Sequence, residues 1–335
     1  MSVANEVPET YGTTDGDDAR TTLAATGRGR LIKDAFQRLR ASDGFSHARS
    51  LGFLTALVLV QGVIALVGLA TVLGKGGTSD LIVHSLQSLA PGPAGKILTE
   101  AVAQAHQAGT HQSTALIVGA IAAIVTGTTL MGQLERGLNR IYGIEQDRPT
   151  PQKYGRAFLL AISAGMLSVA GFFAIAVGHS VGNAFGSDTA ATIWNVLRWP
   201  LGLALMIGAT ALLFKWSPRR HQPAWSWLAF GATVAVGLSF VSALLLAWYF
   251  SVSSSFGQTY GPLAGLVALL VWSLLSSIAL LYGGAIGAQL EAVRAGRPAP
   301  KDPAKAARSM PAADGAAPPV RVADLEGADR TTVSR

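Results

Sequence analysis

The polar residues best placed to do chemistry in this sequence fall in one short run, residues 132–144 (GQLERGLNRIYGI). Glu135, Arg136, Asn139 and Arg140 alternate there with Leu134, Leu138, Ile141 and Tyr142. On a helix, positions three and four apart share a face, so the first set makes a polar face and the second an apolar one. Two arginines one turn apart can grip a phosphate through charge-assisted, bidentate hydrogen bonds. Arg136 and Arg140, with Glu135 and Asn139 beside them, are therefore candidate contacts for a lipid headgroup. Arginines that merely orient a membrane helix account for the same pattern.

Other reactive residues are scattered. Phosphodiester hydrolysis gathers carboxylates or histidines around metal ions. The nearby candidates, Glu135, Glu145, Asp147 and His221, show no metal-ligand spacing, so ribonuclease activity is not expected. His84, His106, His111 and His179 lack the i, i+4 spacing that sets two zinc ligands on one helical face. The absence of cysteine excludes disulfides and thiolate metal sites. No G-x-x-x-x-G-K-[ST] loop is present, so the chain does not drive work with its own ATP hydrolysis. No catalytic, cofactor or metal residue is expected, and the chain is read as not an enzyme.

The elements that position these residues are apolar. Stretches at 51–73, 115–131, 157–178, 193–214, 225–250 and 262–290 carry no Asp, Glu, Lys or Arg well inside them. A bilayer core about 30 Å thick takes about 20 helical residues to cross. Half of the 335 residues are hydrophobic and only 13% are charged, which excludes an ordinary soluble domain. Continuous runs such as Leu244-Leu245-Leu246 do not alternate as barrel strands do. The expected fold is all-α: a polytopic membrane protein of six transmembrane helices.

Charge sets the orientation. Arg28, Arg30, Lys33, Arg38, Arg40 and Arg49 precede the first span, and Arg136, Arg140, Arg148, Lys153 and Arg156 follow the second. Lys215, Arg219 and Arg220 follow the fourth, and Arg294, Arg297 and Lys301 follow the sixth. The other gaps are poor in basic residues, so both termini are expected in the cytoplasm. Trp194, Trp199, Trp216, Trp225, Trp227, Trp248 and Tyr249 mark span ends at headgroup level. The net charge of +7 thus follows the membrane, and no nucleic-acid partner is expected. Residues 1–27 lack the apolar stretch of a cleavable leader and are expected to be a disordered tail, as are residues 296–335. The membrane domain then covers 28–295. Leu31, Ile32, Ala35, Phe36 and Leu39 alternate with Lys33, Asp34, Arg38 and Arg40 as an amphipathic helix before the first span. Two further amphipathic helices, broken at Pro91-Gly92-Pro93, are expected in the first outer loop. Gly261 with Gly265, and Gly283 with Gly287, are small-residue pairs suited to close helix packing or to self-association.

Leu138 and Asn139 followed by Tyr142-Gly143, and Tyr260-Gly261 through Gly265 followed by Trp272 and by Tyr282-Gly283, resemble signatures of the YihY/BrkB family of bacterial inner-membrane proteins. The resemblance in layout runs over about 31–291. It departs at Ala285, Gly287 and Gln289, where the family usually has Glu, Asn and Glu, and in lacking a Ser-x-x-Pro pattern in the first span. Any activity those polar positions share in the family is in question here. The resemblance implies a place in the bacterial inner membrane, with roles in membrane integrity, serum resistance and lipid or lipopolysaccharide transport. It also carries an older ribonuclease label.

The spans hold no internal carboxylate or histidine to exchange a coupling ion, and Arg198 lies near an end. The function expected is lipid or amphiphile handling, with membrane lipids as partners. The alternative is a non-transporting scaffold or envelope-integrity factor that associates with itself or other membrane proteins. Topology is directly testable in a chain with no native cysteine: a Ser253→Cys variant should react with an impermeant maleimide from outside intact cells. Reaction only from the cytoplasmic face of inverted vesicles would refute the orientation.

Overall fold

The computed structural model describes residues 5–10, 22–24, 26–72, 112–176, 188–253, 263–297 and 300. The expected hairpin of the first outer loop, the histidines His84, His106, His111 and His179, the family positions Tyr260 and Gly261, and the tail beyond 300 lie outside these residues. Among the described residues there is no strand, and seven helices exceed one turn. They are α1 (Arg28–Ala41), α2 (Gly44–Val72), α3 (Gln112–Ile141), α4 (Thr150–Ala176), α5 (Asp188–Trp216), α6 (Trp225–Val252) and α7 (Ala264–Arg294). In the five helices α3 to α7 lie segments long and apolar enough to cross a membrane. Residues 51–72 of the first expected span lie in α2, a helix of 29 residues.

The long helices run beyond the apolar stretches at the basic end. The second span, expected to stop at 131, continues as helix to Ile141, which puts the polar quartet on the last turns of α3 as its spacing requires. That helix stops at Gly143, whose φ of 81° is open to glycine at little cost. Gly143 N–H donates to the Arg140 carbonyl at 3.1 Å and Ile144 N–H to the Asn139 carbonyl at 2.8 Å. These two bonds are a Schellman termination, satisfying carbonyls that the helix end would leave bare. Gly143, one of the family-motif positions, therefore has a defined backbone task.

Each of the helices α2 to α7 packs on the next, and α7 returns to α2, so the six close a ring. α7 also touches α3 across the ring, and α1 lies chiefly against α7. Packing is concentrated at the end where the basic loops lie. Leu134, Leu138, Ile141 and Tyr142 of the α3 end, Phe214 of α5, Leu228 and Ala232 of α6 and Leu281, Ala285 and Ala288 of α7 form the main buried cluster. At the other end of α5 and α6, residues 189–201 and 237–253 include no buried side chain. Trp227 is buried with Leu31 and Ala35 of α1 and Ile286 and Leu290 of α7. A second aromatic only two residues on from Trp225 must point another way on a helix, and here that way is inward.

The glycine pair of α7 divides in role. A Cβ on Gly283 would lie 2.5 Å from the Gly231 carbonyl oxygen and 2.6 Å from the Ala235 Cβ, so α6 and α7 touch backbone to backbone there. A Cβ on Gly287 would meet nothing within 4 Å. Gly265 is buried in the first turn of α7, and Trp272 is half-buried on the same helix. Close contact, which drives helix association in lipid, thus belongs to Gly283 alone of that pair. Gly283→Ala should lower the thermal stability of the detergent-solubilised protein by about 1–3 kcal/mol through overpacking. Gly287→Ala should leave it equal or raise it, since alanine is the better helix former by about 1 kcal/mol. Equal melting curves for wild type and both variants would show that α6 and α7 do not meet this closely.

Candidate functional site

The basic end of the ring holds two polar networks. The first centres on Asp147, in the loop between α3 and α4. Its Oδ2 accepts hydrogen bonds from Arg136 Nε at 3.1 Å and Lys153 Nζ at 2.8 Å, and its Oδ1 from Asn139 Nδ2 at 3.0 Å. Asn139, fully buried, also accepts the Arg219 backbone N–H at 2.8 Å, tying the α3–α4 loop to the α5–α6 loop. Arg148 pairs with buried Glu135 at 3.2 Å and donates to the Ser217 and Pro218 carbonyls, a second tie between the same loops.

The four sequence candidates therefore come together, in unequal states. Arg140 is buried and turned onto the carbonyls of Ile144 and Glu145, closing its own helix end. Arg136 keeps about two-fifths of its side chain exposed, at 39%, and is the one arginine of the two left facing outward. Glu135 and Asn139 are interior ties.

The second network was not read from the sequence. Arg220, its side chain 3% exposed, donates to Oε1 of the fully buried Glu291 at 2.8 Å and lies over the Tyr142 ring at 4.6 Å. Arg38, fully buried, donates from Nε to Gln289 Oε1 at 2.9 Å and from Nη1 to the carbonyls of Asn5 and Ile141. Residues 5–10, placed by the sequence in a disordered tail, are seated here. Val7 is buried, its N–H donates to the Tyr142 carbonyl at 3.0 Å, and Thr10 donates from Oγ1 to Glu291 Oε1 at 2.7 Å. Arg220 in turn donates to the Val7 and Pro8 carbonyls. A six-residue segment held mainly through its backbone leaves no compositional signal.

Arg38 did leave one. It stands seven residues after Leu31 and three after Ala35, on the apolar stripe of α1 rather than with Lys33, Asp34 and Arg40, and that stripe is the buried face. Gln289, noted as a departure from the family pattern, is its partner.

Electrostatics separate the networks. Burial lowers the Arg38 guanidinium to about 10, which still leaves it charged near neutrality. Burial also pushes the Tyr142 phenol up, so it stays neutral. Burial would raise the Asp147 carboxyl, but hydrogen bonds from Lys153, Asn139 and Arg136 and the Lys153 charge hold it down at about 2. A depressed carboxylate stabilises the fold fully above its ordinary value of 3.8, and that contribution is lost as pH falls through about 2. The wild-type unfolding temperature should therefore fall more steeply over this window than that of Asp147→Asn. Parallel curves would mean that the loop carboxylate does not tie the loops together.

The family described as Virulence factor BrkB matches residues 35–308. The ribonuclease-like protein YfkH of Bacillus subtilis is 24% identical over 273 residues, 78% of this chain and 94% of that protein. A UPF0761 membrane protein of Methylibium petroleiphilum is 27% identical over 267 residues, 77% of this chain and 61% of the relative. One of Bordetella petrii is 26% identical over 276 residues, 80% of this chain and 59% of the relative. The chain thus spans about three-fifths of the length of these two membrane proteins, and nearly all of YfkH. No solved structure matches. With the family match covering most of its length, the chain is a membrane protein that belongs to the BrkB family.

Proposed function

We propose that this protein crosses the bacterial inner membrane six times, α2 being the first span, with both termini in the cytoplasm, and that it handles lipids or other amphiphiles without being an enzyme. The observation that carries the reading is the uneven ring. Its six helices are tied tightly at the basic end, while 189–201 and 237–253 of α5 and α6 contain no buried residue. An amphiphile needs an apolar surface for its tail and a basic rim for its headgroup, and a ring of this kind offers both. Within the candidate spans the charges sit near the ends, apart from Arg198 ten residues into α5. Arg198 donates to the Ile175 carbonyl of α4 at 3.2 Å and stacks by Trp199. That arrangement favours handling of lipid over ion-coupled transport, which uses a titrating group at depth.

The ribonuclease-like description of YfkH transfers poorly to this chain. Glu135, Asp147 and Glu291 at the basic end are each engaged by arginine or lysine, and among the described residues no three His, Asp or Glu side chains gather as a metal site would require.

Arg136 is the proposed headgroup contact of the sequence pair, because Arg140 is committed to the helix end. Reconstituted protein should raise the fraction of a dye-labelled phospholipid that dithionite reaches from outside liposomes, compared with protein-free liposomes. No exchange over a panel of anionic and zwitterionic lipids would defeat the proposal. Arg136→Gln should weaken binding to anionic vesicles while leaving the melting temperature near wild type. Arg140→Gln should instead lower the melting temperature.

A further inference from the structure

Among the described residues no carboxylate lies against Arg38. Its three acceptors, Gln289 Oε1 and the Asn5 and Ile141 carbonyls, are all neutral, although the side chain is fully buried. A buried cation without a counter-charge is costly, and proteins normally pair it. Arg220 adds a second buried guanidinium, which shares the segment 5–10 with Arg38 and has Glu291 as its carboxylate partner. Two positive charges therefore face one negative charge.

The surrounding polar atoms are also incomplete. Gln289 Nε2 is buried without a hydrogen-bond partner, and the Gln222 side chain is buried toward the Tyr142 hydroxyl; Gln222 and Gln289 are 2% and 0% exposed. Gln222 belongs to the α5–α6 loop two residues after Arg220, and Gln289 is the residue that Arg38 binds. The Glu291 Oε2 is likewise unpartnered and would oppose an anion, so the positive excess at the site is a single charge. Buried amide donors beside an uncompensated guanidinium have the composition of an oxyanion site.

The present occupant is the chain itself. The carbonyls of Asn5, Val7 and Pro8 accept hydrogen bonds from Arg38 and Arg220, offering partial negative charge where a full anion would bind more strongly. We propose that Arg38 and Arg220, with Gln222 and Gln289, form a binding site for a phosphate-class anion, which residues 5–10 cover and compete for. The site is separate from Arg136 and does not depend on lipid movement, because a free phosphate and a phospholipid headgroup present the same chemistry.

The test uses the full chain in nonionic detergent with two probes, inorganic phosphate and dihexanoyl phosphatidic acid. Val7→Gly with Thr10→Gly removes the buried valine side chain and the Thr10 hydroxyl without adding charge. It should tighten binding of at least one probe by about tenfold relative to wild type, the gain expected when a competing closed state is removed. Binding of both probes identifies a general phosphate site, and binding of phosphatidic acid alone identifies a lipid headgroup. Adding Arg38→Gln should abolish the gain. Adding Gln222→Glu, which sets a carboxylate among the same groups, should abolish it as well and guards against a fold defect in the arginine variant. A loosened chain that stays folded yet binds neither probe, or that keeps its gain with Gln222→Glu, would overturn the proposal.

Discussion

Helices in lipid gain little by burying one apolar side chain against another, because the lipid tail is as apolar as the neighbour. What holds this ring must then be close backbone contact and polar bonds, and both are found where the theory puts them. At Gly231 and Gly283, and again at Gly171 and Gly202, one helix lies against the backbone of the next. At the basic end the loops are knotted by carboxylates and arginines. Between those two kinds of contact the helices carry large exposed apolar side chains such as Phe53, Ile121, Met166, Val196 and Leu245. In water such surfaces would be a liability; against lipid they are the ordinary outer face of a span.

The two polar networks differ in what they risk. The Asp147 network is partly exposed through Arg136, where water screens the bond, while Asn139, Glu135 and Lys153 are buried. The Arg220 and Glu291 pair is almost wholly buried, and removing either partner of such a pair typically costs about 3–5 kcal/mol because the survivor is left charged and dry. That pair fixes the α5–α6 loop, the end of α7 and the segment 5–10 to one another. The charge is therefore a register device for this end of the bundle as much as a source of stability.

Much of this could be read before any coordinates. The charge-free stretches lie in the described helices over 51–72, 115–131, 157–176, 193–214, 225–250 and 264–290, and the quartet at 135–140 falls on the last turns of α3 because its three- and four-residue spacing leaves no other helical arrangement. Gly143 was legible as a motif position, and its φ supplies the reason. Less legible was which arginines face outward. Arg136 and Arg140 lie one turn apart on one face, yet the chain turns at Gly143 and brings the Ile144 and Glu145 carbonyls back over Arg140 alone. Spacing along a helix cannot register a loop that folds back on it. Arg38 was overlooked for a different reason: its charge outweighed its position, although its position was that of a core residue. Glu291 follows Leu290 directly, at the edge where an apolar run meets a basic one, and the returning α5–α6 loop and the segment 5–10 make it interior.

The ring's asymmetry gives these details a direction. Polar ties cannot be built at mid-membrane depth without burying costly groups, so they collect at an end, where the basic residues lie. Once those arginines are used to join loops, that end becomes, among the described residues, both the best-packed part and the part with the most charge to satisfy. The carbonyls of residues 5–10 complete it for Arg38 and Arg220, but with dipoles where a charge would serve better. A segment bound through its backbone to a site of net positive charge is replaceable by any anion of suitable shape, and the same bonds that close the basic end make its closure conditional.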